Sequence, residues 1–444
     1  MPGDLFIALK GTSENGHDYV SQALAKGAVA AIVCEAIDGF DVSEQRLVHV
    51  TDTLEALRLM AKQARERAPA KIIGVTGSAG KTSVVHALRQ AFERIDSTHS
   101  SVKSFNNHVG VPLSLARMPR ETRYGIFELG MSAAGEIREN AELVQSDIAI
   151  VTTVGAAHTA QFADVAAVAR AKAEIFEFMA EDGTAIINVD HGHADILVDS
   201  AKAAGRRVLT VSVTGEGDVK PLRMTEHADC TCLTADVAGT PITFKVAQPG
   251  REWVMNSLLL LTAVKAAGAD LSHAALALAG LEVEPGRGRV HQLAFSHGAC
   301  TLIDDSYNAN PMSLRAALRR LALAPISKYG RRIAVLGDMN ELGDASEEIH
   351  LALAEDLARF NVSEVIAFGP MMAAAAKKAG LALEQWTSTE GAAKALAAHV
   401  RDGDAVMVKG ANSTRLTSLV DDLIEIGKAE FGGNGPDKEA FHVL

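Results

Sequence analysis

Cysteine and aromatic residues are scarce in this chain of 444 residues, which has four cysteines, two tryptophans and an aromatic share of 5%. Cys34, Cys230, Cys232 and Cys300 show no disulfide spacing, and Cys230-Thr-Cys232 is too tight for an ordinary zinc-binding pair. That excludes a disulfide-stapled scaffold and predicts reduced, mostly buried thiols. No uninterrupted apolar run reaches the roughly 18 residues of a membrane-spanning helix. The start, Met1-Pro2-Gly3-Asp4, lacks the basic and apolar regions of a signal peptide. Long basic runs are missing too. With a formal charge of −12, general nucleic-acid binding is disfavoured, and anionic ligands are left to local basic pockets. These absences predict a soluble, cytoplasmic protein without membrane insertion and without a nucleic-acid partner.

What is present is ample core material. The apolar fraction is 48%, and at roughly 150 residues per domain the length predicts about three domains. Short apolar strands alternate with helical stretches along most of the chain. Ile126–Leu129, Ile148–Val154, Ala185–Val189 and Val208–Val213 are continuous apolar runs, as expected of strands buried on both faces of a parallel sheet. Leu222 to Val246 reads as an antiparallel excursion, and Glu284-Pro-Gly-Arg-Gly-Arg289 as a linker. Thr301–Asp304, Arg332–Leu336, Val365–Phe368 and Ala405–Val408 begin a second strand–helix series. The expected fold is therefore three-domain α/β, divided at 1–69, 70–288 and 289–444. It comprises a small N-terminal α/β domain, a central parallel or mixed sheet of P-loop ATPase type and a C-terminal Rossmann-like domain.

The segment Lys71-Ile-Ile-Gly74-Val-Thr-Gly77-Ser78-Ala79-Gly80-Lys81-Thr82 carries the clearest chemistry. A strand runs into a Gly-rich turn and then a Lys-Thr pair that opens a helix, expected from Ser83 to about Arg94. Backbone N–H groups of such a loop face phosphate oxygens, the lysine meets the terminal phosphates, and the threonine hydroxyl reaches Mg²⁺. The generic spelling has Gly where this chain has Val75, a one-residue departure. Glu128 ends an apolar strand, where a carboxylate is placed either to hold Mg²⁺ or to be solvated. His158 follows the next strand and Lys172 lies on a helix beside Arg170 and Glu174. Taken alone, these two read as a hydrogen-bonding residue and a solvated face. Asp305, Tyr307 and Asn310 follow the strand at 301–304, as ribose and base contacts or as a helix-capping turn. Asp338 and Asn412 lie in polar loops after two further strands, and the three loops share one edge.

Together these strings resemble the Mur ligase family. The cues are Pro2-Gly-Asp-Leu-Phe-Ile-Ala-Leu-Lys10-Gly11, the shifted P-loop, Asn106-Asn107-His-Val-Gly110-Val-Pro112, Glu128-Leu-Gly130 and Ala169-Arg-Ala-Lys172. Asp304-Asp-Ser-Tyr-Asn-Ala-Asn-Pro311, Gly337-Asp-Met-Asn-Glu-Leu-Gly343 and Val408-Lys-Gly410 continue the series, collinear across almost the whole chain. The resemblance implies an ATP-dependent amide ligase of peptidoglycan precursor synthesis. Within the family, these C-terminal strings point to the branch that joins D-alanyl-D-alanine to a UDP-MurNAc-tripeptide through an acyl phosphate. The Asp-Asn-Pro-Arg loop of the branch adding the third residue is missing.

The resemblance further implies that Gly77, Ser78, Ala79, Gly80 and Lys81 hold phosphates, with Thr82 and Glu128 on one Mg²⁺ and His158 and a carbamylated Lys172 on a second. Asn256, Arg287, Asp305, Tyr307 and Asn310 would contact the nucleotide, and Asn106, Asn107, Asp338 and Asn412 the other substrates. A monomer is expected. The chain departs from the family pattern in three places. Glu252-Trp253 stands where a His-Asn pair is usual, and Thr153 and Ala156 replace an Asn and a Pro. A leading segment that helps bind uridine is absent before Met1, which implies an internal start or weaker binding of the UDP-substrate. Two other readings are a family relative with a different acceptor, such as a polyglutamate- or cyanophycin-type ligase, and a nucleotide-binding protein without ligase turnover.

Overall fold

Strands that are apolar on both faces need cover on both sides, and that requirement organises the chain into three sheets, each backed by helices. A computed structural model describes residues 2–11, 13–40, 45–101, 104–155, 161–227 and 229–430. The first sheet is parallel, with strands β1 (Leu5–Ile7), β2 (Ala30–Val33) and β3 (Leu47–His49) in that order. Phe6, Ala31 and Leu47 share a register row and pack with Val20 and Leu24 of the helix Val20–Ala25.

The central sheet has nine strands. They are β4 (Lys71–Thr76), β5 (Thr98–Ser100), β6 (Tyr124–Glu128), β7 (Ile148–Val151), β8 (Thr184–Asn188), β9 (Arg207–Val211), β10 (Val219–Glu226), β11 (Thr231–Val237) and β12 (Thr240–Val246). Their spatial order is β12-β11-β10-β9-β8-β7-β4-β6-β5. Because side chains alternate across a strand, Ile73, Val75, Ile148, Ile150 and Ile186 enter one core with Val84 and Leu88 of the helix Lys81–Glu93. Ile72, Ala149, Val151, Ala185 and Ile187 enter a second core on the opposite face. This two-sided cover is why these runs read as unbroken apolar stretches. The expected antiparallel excursion is the β10–β11–β12 meander.

The third sheet contains β13 (Arg289–Phe295), β14 (Gly298–Asp304), β15 (Arg332–Gly337), β16 (Glu364–Phe368), β17 (Ala382–Trp386) and β18 (Asp404–Lys409). The order is β13-β14-β18-β15-β16-β17, parallel apart from the β13–β14 hairpin. The stretch read as a linker through Arg289 ends one residue earlier, because Arg289 already begins β13. That strand was not anticipated, because its alternation of polar and apolar residues is interrupted by His291 and Gln292. In open α/β sheets ligands bind beyond the carboxyl ends of strands where the strand order reverses, which here are the ends of β4 and of β14, β18 and β15. Among the described residues, no helix is long and apolar enough to cross a membrane.

Candidate active site

The turn after β4 is built by two glycines in backbone conformations that side-chain-bearing residues avoid. Gly77 has φ 152° and Gly80 has φ 83°. A Cβ at Gly77 would collide with the Thr152 hydroxyl, and one at Gly80 would lie 3.2 Å from Asn256 Oδ1. The loop is therefore pressed against the strand-end residues of β7 and against the helix Arg251–Ala266, which carries Asn256. Thr152 Oγ1 donates to Ala79 O at 2.6 Å, and Ser78 N donates to Thr153 O at 2.8 Å. The helix Lys81–Glu93 starts at once, leaving its first N–H groups without intrahelical partners. Lys81 Nζ folds back onto Gly77 O at 2.7 Å. Burial pushes its pKa down, opposed by the negative charges of Glu128 and Glu341, with Arg287 adding to the downward push.

Glu128, at the end of β6, is 1% exposed. One carboxylate oxygen accepts from Asn106 Nδ2 at 2.7 Å, while the other, Oε2, is buried without a partner. Asn106 O also accepts from Gly130 N, so its loop is pinned to the end of β6. Asn107 lies beside it on the cleft wall and uses its side-chain oxygen to cap the helix Gly110–Ala116. Thr82 Oγ1 sits 3.3 Å from Ser104 Oγ and accepts from Arg287 at 3.0 Å. The Arg287 guanidinium lies 4.0 Å over the Tyr307 ring, and so bridges the phosphate loop and the third sheet.

Lys172, on the helix Val165–Ala173, is 2% exposed and lies behind the cleft rather than on its wall. The solvated face expected of an isolated helix lysine is thus replaced by a buried amine. Burial holds its pKa well below the usual lysine range, and Lys81 pushes the same way. His158 lies outside the described residues.

From the third sheet, Asp305 pairs with Lys409 Nζ at 2.6 Å, and Lys409 also donates to Asn308 O. Asn310 caps the helix Pro311–Leu323 through Ser313 N, and its Nδ2 donates to Ser78 O at 3.2 Å. Asp338 accepts from Met371 N and Met372 N, and so caps the helix Pro370–Lys378. Its carboxylate does not face the cleft. Its loop neighbours Asn340, Glu341 and Leu342 do, together with Asn412 and Ser413. The phosphate loop from Ser78 to Thr82, Ser104, Asn106, Asn107, Glu128, Asn256, Arg287, Asp305, Tyr307, Asn310, Lys409 and Asn412 line one cleft of about 900 Å³ between the central and third sheets, whereas Asp338, Lys172 and Gly77 do not.

Comparison with known proteins gives this arrangement a lineage. Residues 1–65 match the Mur ligase family catalytic domain, 75–264 the Mur ligase middle domain and 288–412 the Mur ligase glutamate ligase domain. The chain belongs to the Mur ligase family. The UDP-N-acetylmuramoyl-tripeptide–D-alanyl-D-alanine ligase of Escherichia coli is 32% identical to this Mur ligase, over 96% of this chain and 92% of its own. The enzyme of the same name from Bacillus subtilis is 30% identical, over 95% and 90%. A crystal structure of MurF from Acinetobacter baumannii superposes with TM-score 0.83 at 29% identity, covering 96% of this chain and 91% of that one. MurF from Thermotoga maritima, in complex with ADP, superposes with TM-score 0.80 at 25% identity, covering 96% of each chain.

The donor set of this Mur ligase fits a divalent cation. The orphaned, buried Glu128 oxygen is an acceptor without a donor, and the Thr82 hydroxyl stands at the start of the same crevice. Burial holds the Lys172 pKa well below the usual lysine range, which favours the neutral amine over the ammonium. Sequence reasoning missed Ser104, Lys409 and Glu341. Lys409 and Glu341 stood inside motif strings whose spacing was noticed, but Ser104 gave no signal beyond lying two residues before Asn106.

Proposed function

We propose that this Mur ligase uses ATP to join D-alanyl-D-alanine to a UDP-MurNAc-tripeptide, through an acyl phosphate on the terminal carboxylate of the tripeptide. One observation carries the reading: the phosphate loop, the Glu128 carboxylate and the loops of the third sheet converge on a single cleft. Its relatives in Escherichia coli and Bacillus subtilis bear the name of that reaction over nearly their whole length. In this reading residues 1–69 receive the UDP-substrate, 70–288 bind ATP, and 289–444 complete the nucleotide site and present the acceptor.

Phosphoryl transfer to a carboxylate demands positioning and charge neutralisation more than a base. The amides of Gly77 to Lys81 and the Lys81 ammonium hold the β- and γ-phosphates. Asn256 flanks the base, and Asp305 and Tyr307 meet the ribose and base. Asn310 ties the third domain to Ser78 and so fixes the gap between them. Arg287, released from Thr82 and still stacked on Tyr307, reaches the transferred phosphoryl group. Asn106 and Asn107 orient the UDP-substrate, and Asn412 faces the acceptor, with Asp338 acting through the loop it anchors. Thr82, Glu128, His158 and carbamylated Lys172 would hold Mg²⁺, which when bound supplies further neutralisation of phosphoryl charge. The ammonium of D-alanyl-D-alanine first gives one proton to water, the amine lone pair then attacks the acyl carbon, the carbon–oxygen bond to phosphate breaks, and the nitrogen sheds its remaining extra proton to solvent.

The deciding assay is inorganic phosphate release from ATP with Mg²⁺, UDP-MurNAc-tripeptide and D-alanyl-D-alanine, omitting one component at a time. Release that needs all of them is expected. Release indifferent to D-alanyl-D-alanine, or supported equally by glutamate, would refute this acceptor.

A further inference from the structure

The loop after β15 contains a residue in an unusual backbone state. Glu341 has φ 63°, the left-handed region that non-glycine residues avoid unless their surroundings impose it. Its surroundings do impose it. Asp338 is clamped to two helix N–H groups, Leu342 is buried, and Asn340 Nδ2 donates to Ser413 Oγ at 2.7 Å. The loop is thus fixed on both sides of Glu341, whose exposed side chain stands on the cleft wall. Although it belongs to the third sheet, its negative charge acts on Lys81 across the cleft.

The charge pattern of the cleft then becomes specific. On the central side Lys81 and Arg287 are cationic, as phosphates require. The loops after β15 and β18 contribute Asn340, Glu341, Leu342, Asn412 and Ser413, and Glu341 is the charged member of that group. A carboxylate there repels phosphate. Among the reacting groups the phosphates and the tripeptide carboxylate are anionic, and the amine of the acceptor is the one that arrives positively charged near neutral pH. It must come to rest within reach of the acyl carbon, opposite the phosphate loop.

We propose that Glu341 is the carboxylate that receives the ammonium group of the acceptor dipeptide and so selects a cationic amine at this end of the cleft. The proposal rests on the ligase reading above, and the test separates the two. With the full-length protein, Glu341→Gln should raise KM for D-alanyl-D-alanine by about tenfold or more, the range of a lost charge-assisted hydrogen bond. KM for ATP and for the UDP-substrate should change far less, since Glu341 acts on Lys81 more weakly than Glu128 does. Glu341→Asp keeps the charge, tolerates the left-handed backbone and should recover part of the loss. Hydroxylamine is largely neutral near neutral pH and needs no ammonium receptor, so the Gln variant should form the hydroxamate at the wild-type rate. An unchanged KM for D-alanyl-D-alanine would overturn the proposal. So would equal losses with all three substrates, or hydroxamate formation impaired as much as peptide formation, since a purely structural role would produce those results. Wild-type protein that releases no phosphate with either amine would overturn the ligase reading, and this assignment with it.

Discussion

Replacing Lys172 with methionine should make the unliganded protein more stable while removing its activity. Lys172 is 2% exposed, and its amine has no hydrogen-bond or ion-pair partner among the described residues. Burial, reinforced by Lys81, holds its pKa well below that of an unfolded lysine. Between those two values the unfolded chain binds more protons than the folded one, so wild-type stability rises with pH across that window. The destabilisation is largest at the low-pH end and is gone once pH passes the unfolded value of about 10.4. At pH 7 the protonation penalty is capped at the cost of deprotonating an ordinary lysine there, about 3.4 pH units at about 1.36 kcal/mol each, or about 4–5 kcal/mol. Methionine has a similar shape and no such penalty, so Lys172→Met should gain about 2 kcal/mol or more at pH 7. For a domain of this size that is a Tm increase of about 4–8 °C. The transition should be followed by Trp253 fluorescence in a Trp386→Phe background, so that the central domain alone reports, in bicarbonate-free buffer at about pH 7 and about pH 9.5. The gap between variant and wild type should narrow at the higher pH, and phosphate release by the variant should be lost. A variant no more stable than wild type at pH 7, or a gap independent of pH, would refute the argument.

Two further outcomes follow from contacts described above or present in the same sheet. Lys81→Ala removes the phosphate clamp and should lower kcat for phosphate release by at least about a hundredfold, several kcal/mol of transition-state stabilisation, with retained turnover counting against the role of the loop. Asp404 is 1% exposed and accepts from Arg331 N, Nε and Nη2 and from Arg401 N. Asp404→Ala removes the buried acceptor of Arg331 and of the Arg331 and Arg401 backbone N–H groups, while Arg331, 17% exposed, keeps Glu364 and His399 O; it should cost about 2–3 kcal/mol, lowering a Trp386-reported transition while a Trp253-reported one stays in place, and equal shifts in both would show that the two sheets unfold as a unit.

The strands of the central sheet were legible because burial on both faces leaves a run such as Ile148–Val151 no polar positions to spare. The phosphate loop was legible because its glycines answer a backbone demand that few other sequences meet. The third-domain side chains were harder. Asp305, Asn310 and Asp338 are residue types that serve equally as ligand contacts and as caps or ion-pair partners, and spacing alone does not separate those uses. In the fold, Asn310 and Asp338 cap helices and Asp305 pairs with Lys409. Lys172 shows the opposite failure. Its neighbours Arg170 and Glu174 suggested a solvated face, whereas the helix turns the lysine inward. Glu341 was hidden because nothing in a one-letter string announces a left-handed backbone at a glutamate.

The strand order has a mechanical consequence. Lys81 and Thr82 follow β4, Glu128 ends β6, and Thr152 follows β7, three strands joined side by side by main-chain hydrogen bonds. The groups opposite them follow β14, β18 and β15, which are likewise contiguous. The cleft therefore behaves as two stiff plates, and the spacing between the plates is the coordinate left to vary. Bridges that set that spacing include Asn310 to Ser78, Arg287 to Thr82 and Arg320 to Gln248. A small molecule lodged there as a wedge would not have to mimic nucleotide, sugar or peptide. By holding the plates a few ångströms too far apart it would keep every reacting group intact and out of reach of its partner.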